Sequence, residues 1–547
     1  MLRRVSLCFV VAAAACSRPV ISRDGGPDGS VPVDGGPQTT VDAGDFDASM
    51  PFDSGVEAPD AGGFDASVPF DAGTFDAGVF DAGVVELVAV SHQRELRGVW
   101  VATVSNLDFP LATGLSVTTA RGQLQAIVDR AVSAGLNSLF FQVRPESDAL
   151  YESTLEPWSR FLSGTQGQHP GWDPLAELLT MAHRQGVEVH AWVNPYRGAV
   201  SAGSTRASNH VTQTLSAHAI TYNSQVVMNP GVPAVRAHVM AVLRDLLNRY
   251  DVDGLHFDDY FYPYPDSSNT PFPDSATYSA YQSGGGMLSL NAWRRDNVNT
   301  LVRETMQMVT AEHPQVRFGV SPFGIWQSGT PSGIVGLSAY DTIACDAPTW
   351  MNQGWVDYLA PQLYWARSPT QQAFGTLINW WANGATGGRH VFPGHALYRL
   401  NSSATWTVDE IRQQILLVRA QRAKGALGSL HFREAQLRTN VLGIADAFRN
   451  DLYAAKALPP PIPRAGASMT PVPPLVTRSG STLIAQHPLP ATVRFAALYR
   501  LQGSTWTLTS VSGDAVASFP SLPSGTYAIS AVARGGAESM GVRHVVP

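Results

Sequence analysis

Cysteine and lysine are nearly missing from this chain of 547 residues: it has three cysteines and, among 37 basic side chains, two lysines, Lys424 and Lys456. With so few thiols, and only Cys16 and Cys345 left once an N-terminal leader carrying Cys8 is removed, a disulfide framework is excluded as the source of stability. The scarcity of lysine and the lack of any arginine run exclude nucleic acid as a partner. No apolar run after the leader is long enough to span a bilayer. The chain also lacks an HExxH pattern, a close His-x-His pair and a glycine-rich phosphate loop after its first strand, so no cofactor is expected.

The first 15 residues combine Arg3-Arg4, an apolar stretch and a small-residue run ending A-A-A-A before Cys16, the pattern of an export signal. Cys16 is therefore the expected lipid-attachment residue of a bacterial envelope lipoprotein, in the outer membrane or periplasm; secretion is the alternative if the cysteine is not acylated. From 17 to 88 the chain is rich in Gly, Pro, Ala and Asp and repeats F-D-A-S at Phe64 and F-D-A-G at Phe70, Phe75 and Phe80. With 14 acidic and 2 basic residues, this segment cannot bury a core and is expected to be a disordered, self-repelling tether. The remainder is then slightly basic.

Residues 92–458 change character. Short apolar runs alternate with amphipathic stretches, and the spacing predicts strands over 96–103, 137–144, 188–194, 253–259, 317–324, 357–365, 390–397 and 426–433. Helices are predicted between them over 120–134, 174–185, 233–250, 291–312 and 408–424. Eight such alternations predict an α/β fold, a (β/α)8 TIM barrel, with an open doubly wound sheet as the alternative. A proline-rich linker, 459–474, leads to short strand-like segments over 475–547, expected to form a small β-sandwich whose Tyr527–Ser539 stretch resembles the late strands of fibronectin type III domains.

Active sites of such barrels lie at the carboxyl ends of the strands, and polar residues collect there. The run D-V-D-G-L-H-F-D-D-Y-F-Y-P-Y-P from Asp251 places His256 and Asp258 on one strand face and Asp259 on the other. Further candidates are Trp100 on the first strand; Gln142, Arg144, Glu146 and Asp148 after the second; His190, Trp192, Asn194 and Arg197 on and after the third. Tyr260 and Tyr262 follow the fourth, Ser321, Phe323 and Trp326 the fifth, and Gln362, Tyr364 and Trp365 end the sixth, with His395 and Tyr398 on the seventh. Carboxylates, amides and arginine among tryptophan and tyrosine are what a sugar site needs, since aromatic faces stack on pyranose C–H faces while polar groups bond the hydroxyls.

The stretches R-G-V-W-V-A-T at Arg97, F-F-Q-V-R-P-E-S-D-A-L-Y at Phe140, H-A-W-V-N-P-Y-R at His190, H-F-D-D-Y-F-Y-P at His256, S-P-F-G-I-W at Ser321 and D-Y-L-A-P-Q-L-Y-W at Asp357 closely resemble the glycosyl-hydrolase-like 10 family. That family includes envelope lipoproteins, among them an enzyme that cleaves peptide-free glycan strands of peptidoglycan. The resemblance implies a glycosidase acting on a wall glycan. It also implies that Asp258 and Asp259 are the family's fourth-strand aspartates. The family's D-T-R-K-W-like element is altered here to Asp346-Ala-Pro-Thr-Trp350, keeping the acid and losing the basic contact. Glycosidic hydrolysis needs one carboxyl to donate a proton and another to act as nucleophile or base. Asp258 is the expected nucleophile or base and Asp346 the expected acid, with Asp148 and Glu146 next; Asp259, facing the other way, is not expected to be Asp258's partner. Two alternatives stand beside this reading: a metal-dependent hydrolase using His190, His256 and Asp258, and a non-catalytic carbohydrate-binding protein.

Overall fold

The computed structural model describes residues 86–368 and 370–547; the expected export signal, Cys16 and the expected tether up to 85 lie outside them. Eight parallel strands form the barrel: β1 (Leu96–Val101), β2 (Ser138–Arg144), β3 (Glu188–Val193), β4 (Gly254–Phe257), β5 (Arg317–Val320), β6 (Tyr358–Leu359), β7 (two pieces, His390–Val391 and Gly394–Ala396) and β8 (Gly428–Phe432). Each pairs in parallel with its neighbour, and β8 closes on β1 through the register Gly428↔Leu96 to His431↔Val99. The open-sheet alternative is thereby excluded. The break in β7 falls at Phe392-Pro393, where proline has no N–H for the ladder. Strands β5 and β6 end earlier than the apolar pattern predicts for the same reason, because Pro322 and Pro361 interrupt them.

Alternation along the strands separates two layers. Val99, Val101, Leu139, Phe141, Val189, Leu255, Phe257 and Phe318 face the surrounding helices. Leu96, Trp100, Phe140, Trp192, Tyr358, Phe392 and Leu430 fill the barrel. Large inward rings fit because their neighbours are glycines: a Cβ on Gly254 would lie 2.3 Å from His190 Nδ1, and one on Gly319 would lie 2.3 Å from Tyr358.

The predicted helices appear as α1 (Val117–Ser133), α2 (Pro174–Arg184), α3 (Pro233–Arg249), α4 (Leu290–Glu312) and, past a further pair, α7 (Val408–Ala420). Ser116, Asp173 and Thr407 cap α1, α2 and α7 by accepting backbone N–H groups of the first turn. Between β5 and β7 lie α5 (Ala347–Asn352) and α6 (Phe374–Asn383). Helix α6 was not predicted, although Phe374, Leu377, Ile378 and Trp381 recur at helical spacing and are its buried face. The excursion after β3 carries a three-stranded antiparallel sheet, Arg197–Ala199, Ala219–Tyr222 and Gln225–Met228.

Residues 475–546 form two antiparallel sheets. Leu475–Ser479, Thr482–Gln486 and Val516–Phe519 make one; Val493–Gln502, Thr505–Ser512, Gly525–Ala533 and Gly541–Val546 make the other, joined at its edge by Leu87–Val88. Leu483, Ala485, Leu498, Phe519, Tyr527 and Ile529 pack between them. This module grips the amino-terminal end of the barrel. Arg494 bonds Asp251 and lies 2.7 Å from Asp253, whose other oxygen accepts the Val189 N–H at 2.7 Å and faces His183 at 2.8 Å. Burial works to raise the Asp253 carboxyl, but Arg494 and His183 outweigh it and hold the group ionised. The linker is not loose either: Arg317 donates to the Pro460 carbonyl at 2.7 Å, and Arg464 bonds Asp357 at 2.9 Å.

Candidate active site

Strand β4 stops at Phe257, and the two aspartates emerge at its carboxyl end, 4% and 3% exposed. Asp258 keeps the inward direction that alternation assigns it, above His256. Its carboxylate accepts the Trp192 indole N–H at 3.0 Å, the Asn194 amide at 3.1 Å to each oxygen, and the Tyr260 backbone N–H at 3.3 Å. Asn194 is held in turn, its own Oδ1 accepting the backbone N–H groups of Tyr196 and Arg197 at 3.3 and 2.8 Å. Burial raises the Asp258 carboxyl above its ordinary range, against the pull of Arg197, Trp192 and Asn194 toward ionisation.

Asp259 does not continue to the outer face. The chain has left the ladder, so strand alternation no longer governs it, and its Oδ2 accepts the Tyr264 hydroxyl. Gln362, just past β6, is close enough to favour its charge, yet burial and then the negative charge of Asp258 raise its pKa from 3.8 to about 6. Asp259 thus has partners of its own, separate from the Trp192 and Asn194 groups that hold Asp258. Asp346 is half-buried at the start of α5. The neighbouring Cys345 is buried, and burial, then the charges of Asp259 and Asp346, push its thiol well up.

Half-buried rings surround the carboxylates. Tyr260, Tyr264 and Phe323 follow one another at centroid separations of 5.5 and 6.2 Å, and Trp365 packs on Phe323 at 5.5 Å. Tyr364, Tyr398 and Phe432 form a second group at 5.7 to 5.9 Å. Arg197 lies over Tyr260 and donates to the Pro145 carbonyl. Tyr264 and Phe432 were not among the candidates read from the sequence. Phe432 was legible, since it shares its parity on β8 with inward-facing Leu430.

Several candidates belong to the scaffold instead. Trp100, His190 and His256 lie inside the barrel, below the mouth. Trp100 donates to His256 Nε2 at 3.1 Å, His256 Nδ1 meets the Tyr358 hydroxyl at 2.9 Å, and His190 Nδ1 meets the same hydroxyl at 3.3 Å. With both nitrogens engaged and burial holding its pKa well down, His256 is a neutral core residue. It is not free to ligate a metal, and among the described residues no three His, Cys, Asp or Glu side chains converge to hold one. Arg144 is sealed in an ion pair with Glu156, Nε to Oε2 at 2.7 Å, and donates to the Asn194 and Pro195 carbonyls at 2.6 and 3.0 Å. Gln142 is fully buried, its Oε1 accepting the Thr103 and Val104 N–H groups. Asp148, also fully buried, accepts from Glu146 N and Gln166, while Glu146 pairs with Arg160. Tyr262 accepts from Asn297 and packs on Phe272. Trp326 stacks on Trp380 of α6, and His395 is bonded between Gln414 and Ser429.

The model of the family described as Glycosyl hydrolase-like 10 matches residues 95–409. The chain belongs to the glycosyl hydrolase-like 10 family. Within it, the glycosyl hydrolase YngK of Bacillus subtilis (strain 168) is 36% identical over 382 residues, 68% of this chain and 74% of that protein. The glycosyl hydrolase DigH of Escherichia coli (strain K12) is 35% identical over 372 residues, covering 62% and 83%. Among solved structures, the PgaB (BpsB) glycoside hydrolase domain from Bordetella bronchiseptica aligns with a TM-score of 0.41 at 12% identity, covering 65% of this chain and 98% of that one. Membership in the glycosyl hydrolase-like 10 family makes this chain an enzyme of the glycosidase class, and the span of the match, 95–409, takes in β1 to β7 and both aspartates.

Proposed function

We propose that this enzyme hydrolyses glycosidic bonds of a cell-wall glycan, specifically peptidoglycan strands from which the peptides have been removed. The observation that carries the reading is the pair Asp258 and Asp259, buried side by side at the barrel mouth among half-exposed tyrosines and phenylalanines. The two carboxyls have different surroundings. Asp258 accepts from Trp192, Asn194 and the Tyr260 backbone, so it is the fixed negative partner that balances charge developing at the anomeric carbon. Asp259, raised to about 6, can carry a proton near neutrality and give it to the departing glycosidic oxygen. Water then completes the hydrolysis. In this reading Asp259, rather than Asp346, is the acid, because its raised pKa lets it carry a proton near neutrality. Uncharged rings suit a bare glycan better than the acidic peptides of an intact strand, and the family resemblance points to the same substrate.

Products from intact and peptide-free peptidoglycan, identified by mass spectrometry, test the reading. The wild type should release sugars from peptide-free strands, and Asp258→Asn and Asp259→Asn should release none, while Asp346→Asn stays active. Loss in Asp346→Asn with activity kept in Asp259→Asn would restore Asp346 as the acid. Glycan binding with no product from either material would make the protein a binding module. Anchoring through acylated Cys16 in the envelope is part of the same proposal; fatty-acid labelling that persists in Cys16→Ala would refute it.

A further inference from the structure

Three arginines lie on or after β2 and β3, and two of them are neutralised inside the protein. Arg144 pairs with Glu156, and Arg160, in the segment that follows β2, pairs with Glu146. Arg197 is different. It is 8% exposed, yet among the described residues it has no carboxylate partner. Its backbone is fixed on both sides: the N–H donates to Asn194 Oδ1 at 2.8 Å, and the carbonyl accepts the Ser147 hydroxyl at 3.0 Å. Its guanidinium donates from Nε to the Pro145 carbonyl at 2.8 Å and lies 5.2 Å over the centre of the Tyr260 ring. These contacts tie it to Asp258 twice, since the Asn194 amide bonds both Asp258 oxygens and the Tyr260 backbone N–H bonds one of them. The two terminal amines of Arg197 donate to no described residue, and neither is walled off as Nη1 of Arg317 is; both keep open surface.

A buried guanidinium ordinarily has an anion beside it, because removing the charge from water costs more than one carbonyl and an aromatic face recover. In Arg197 the pair of amines that fits a carboxylate is left free, so the missing partner is a group with two charged oxygens in one plane. In the glycan of peptidoglycan that group has one origin. The lactyl arm of each muramic sugar ends in a carboxyl that is an amide while the peptide is attached and a free carboxylate once it is removed. An amide has one oxygen and no charge, so an intact strand cannot form the pair. We propose that Arg197 pairs with the lactyl carboxylate of a muramic sugar bound beside Asp258, and so selects strands that have lost their peptides. This rests on Asp258 and Asp259 being the reaction centre of a wall-glycan hydrolase.

The experiment uses the full-length protein in the Asp259→Asn background and two forms of one peptide-free glycan octasaccharide, the free acid and its methyl ester at the lactyl carboxyls. With Arg197 intact, the free acid should bind about tenfold or more tighter than the ester, the difference that one hydrogen bond between charged groups makes. Arg197→Gln should close that gap by weakening the acid while binding the ester as before, which also shows that the site is folded. Arg197→Lys, which keeps the charge and loses the paired amines, should recover part of it. Three results overturn the proposal: no gap with Arg197 intact, a gap that survives Arg197→Gln, or loss of both forms alike in both variants, which would make the arginine a support for Asp258 alone. Failure of the wild type to cleave the free acid would instead overturn the reading of the two aspartates, with the binding comparison still deciding what Arg197 holds.

Discussion

Replacing Asp259 by Asn should remove activity and stabilise the fold, and the gain should depend on pH in one direction. Asp259 is 3% exposed and its carboxyl is raised from 3.8 to about 6, first by burial and then by the Asp258 charge. Below about pH 4 the group is protonated in folded and unfolded chains alike, and wild type and variant should differ little. Between 3.8 and about 6 the unfolded chain loses the proton while the folded chain keeps it, so wild-type stability falls as pH rises through that window. Above it both forms are ionised, and the folded state carries the full cost of a buried charge. At ~1.4 kcal/mol per tenfold change in proton affinity, that cost is about 3 kcal/mol. Asparagine has no such loss, and its carbonyl oxygen can still accept the Tyr264 hydroxyl. Urea unfolding at intervals from pH 4 to pH 8 should therefore show a stability gap in favour of the variant that opens between pH 4 and 6 and then levels. Wild-type kcat should decline above about pH 6 as the acid loses its proton. A gap that does not vary with pH, or an alkaline limb unrelated to that midpoint, would refute the assignment.

Three further substitutions probe the scaffold. Asn194→Ala removes an amide that bonds both Asp258 oxygens at 3.1 Å; at ~1.5–3 kcal/mol for a hydrogen bond to a charge, kcat should fall roughly 10- to 100-fold, and a fall in KM-weighted binding alone, with kcat intact, would show that the amide serves only binding. Glu156→Gln leaves Arg144 buried without its partner; burial would raise the Glu156 carboxyl, but Arg144 and His238 outweigh it and hold its pKa at about 2; a loss of ~3–5 kcal/mol in chemical unfolding is expected, and a loss below about 1 kcal/mol would mean water reaches the pair. Arg494→Ala removes the arginine shared by Asp251 and Asp253 at the base of β4, leaving Arg534 on Asp251, so barrel and C-terminal module should lose stability together; an unfolding transition of the barrel unchanged from wild type would show that the module is a passive spacer.

The barrel was legible because its strands alternate small or apolar residues at period two and proline or glycine punctuates them. Position 258 was legible by the same rule, since an inward His256 two residues earlier fixes its side. For Asp259 the rule gives no answer, because the strand ends at Phe257. The misplacement of Trp100, His190 and His256 has another cause. Alternation says which residues face inward but not how far up the barrel axis each sits, and polar interior residues well below the mouth look identical in sequence to polar residues at it. Arg144 was misread because its partner, Glu156, belongs to a loop with no periodicity to announce that it folds back.

Taken alone, then, the order of residues determined the eight-strand barrel and the strand end where the acids emerge, because these depend on local patterns of polarity and spacing. Which acids share one site, which imidazoles are silenced by a neighbouring hydroxyl and which arginine is spent on a buried carboxylate depend on residues tens to hundreds of positions apart. Those partnerships arise only when the sheet closes and brings the strand ends into one ring.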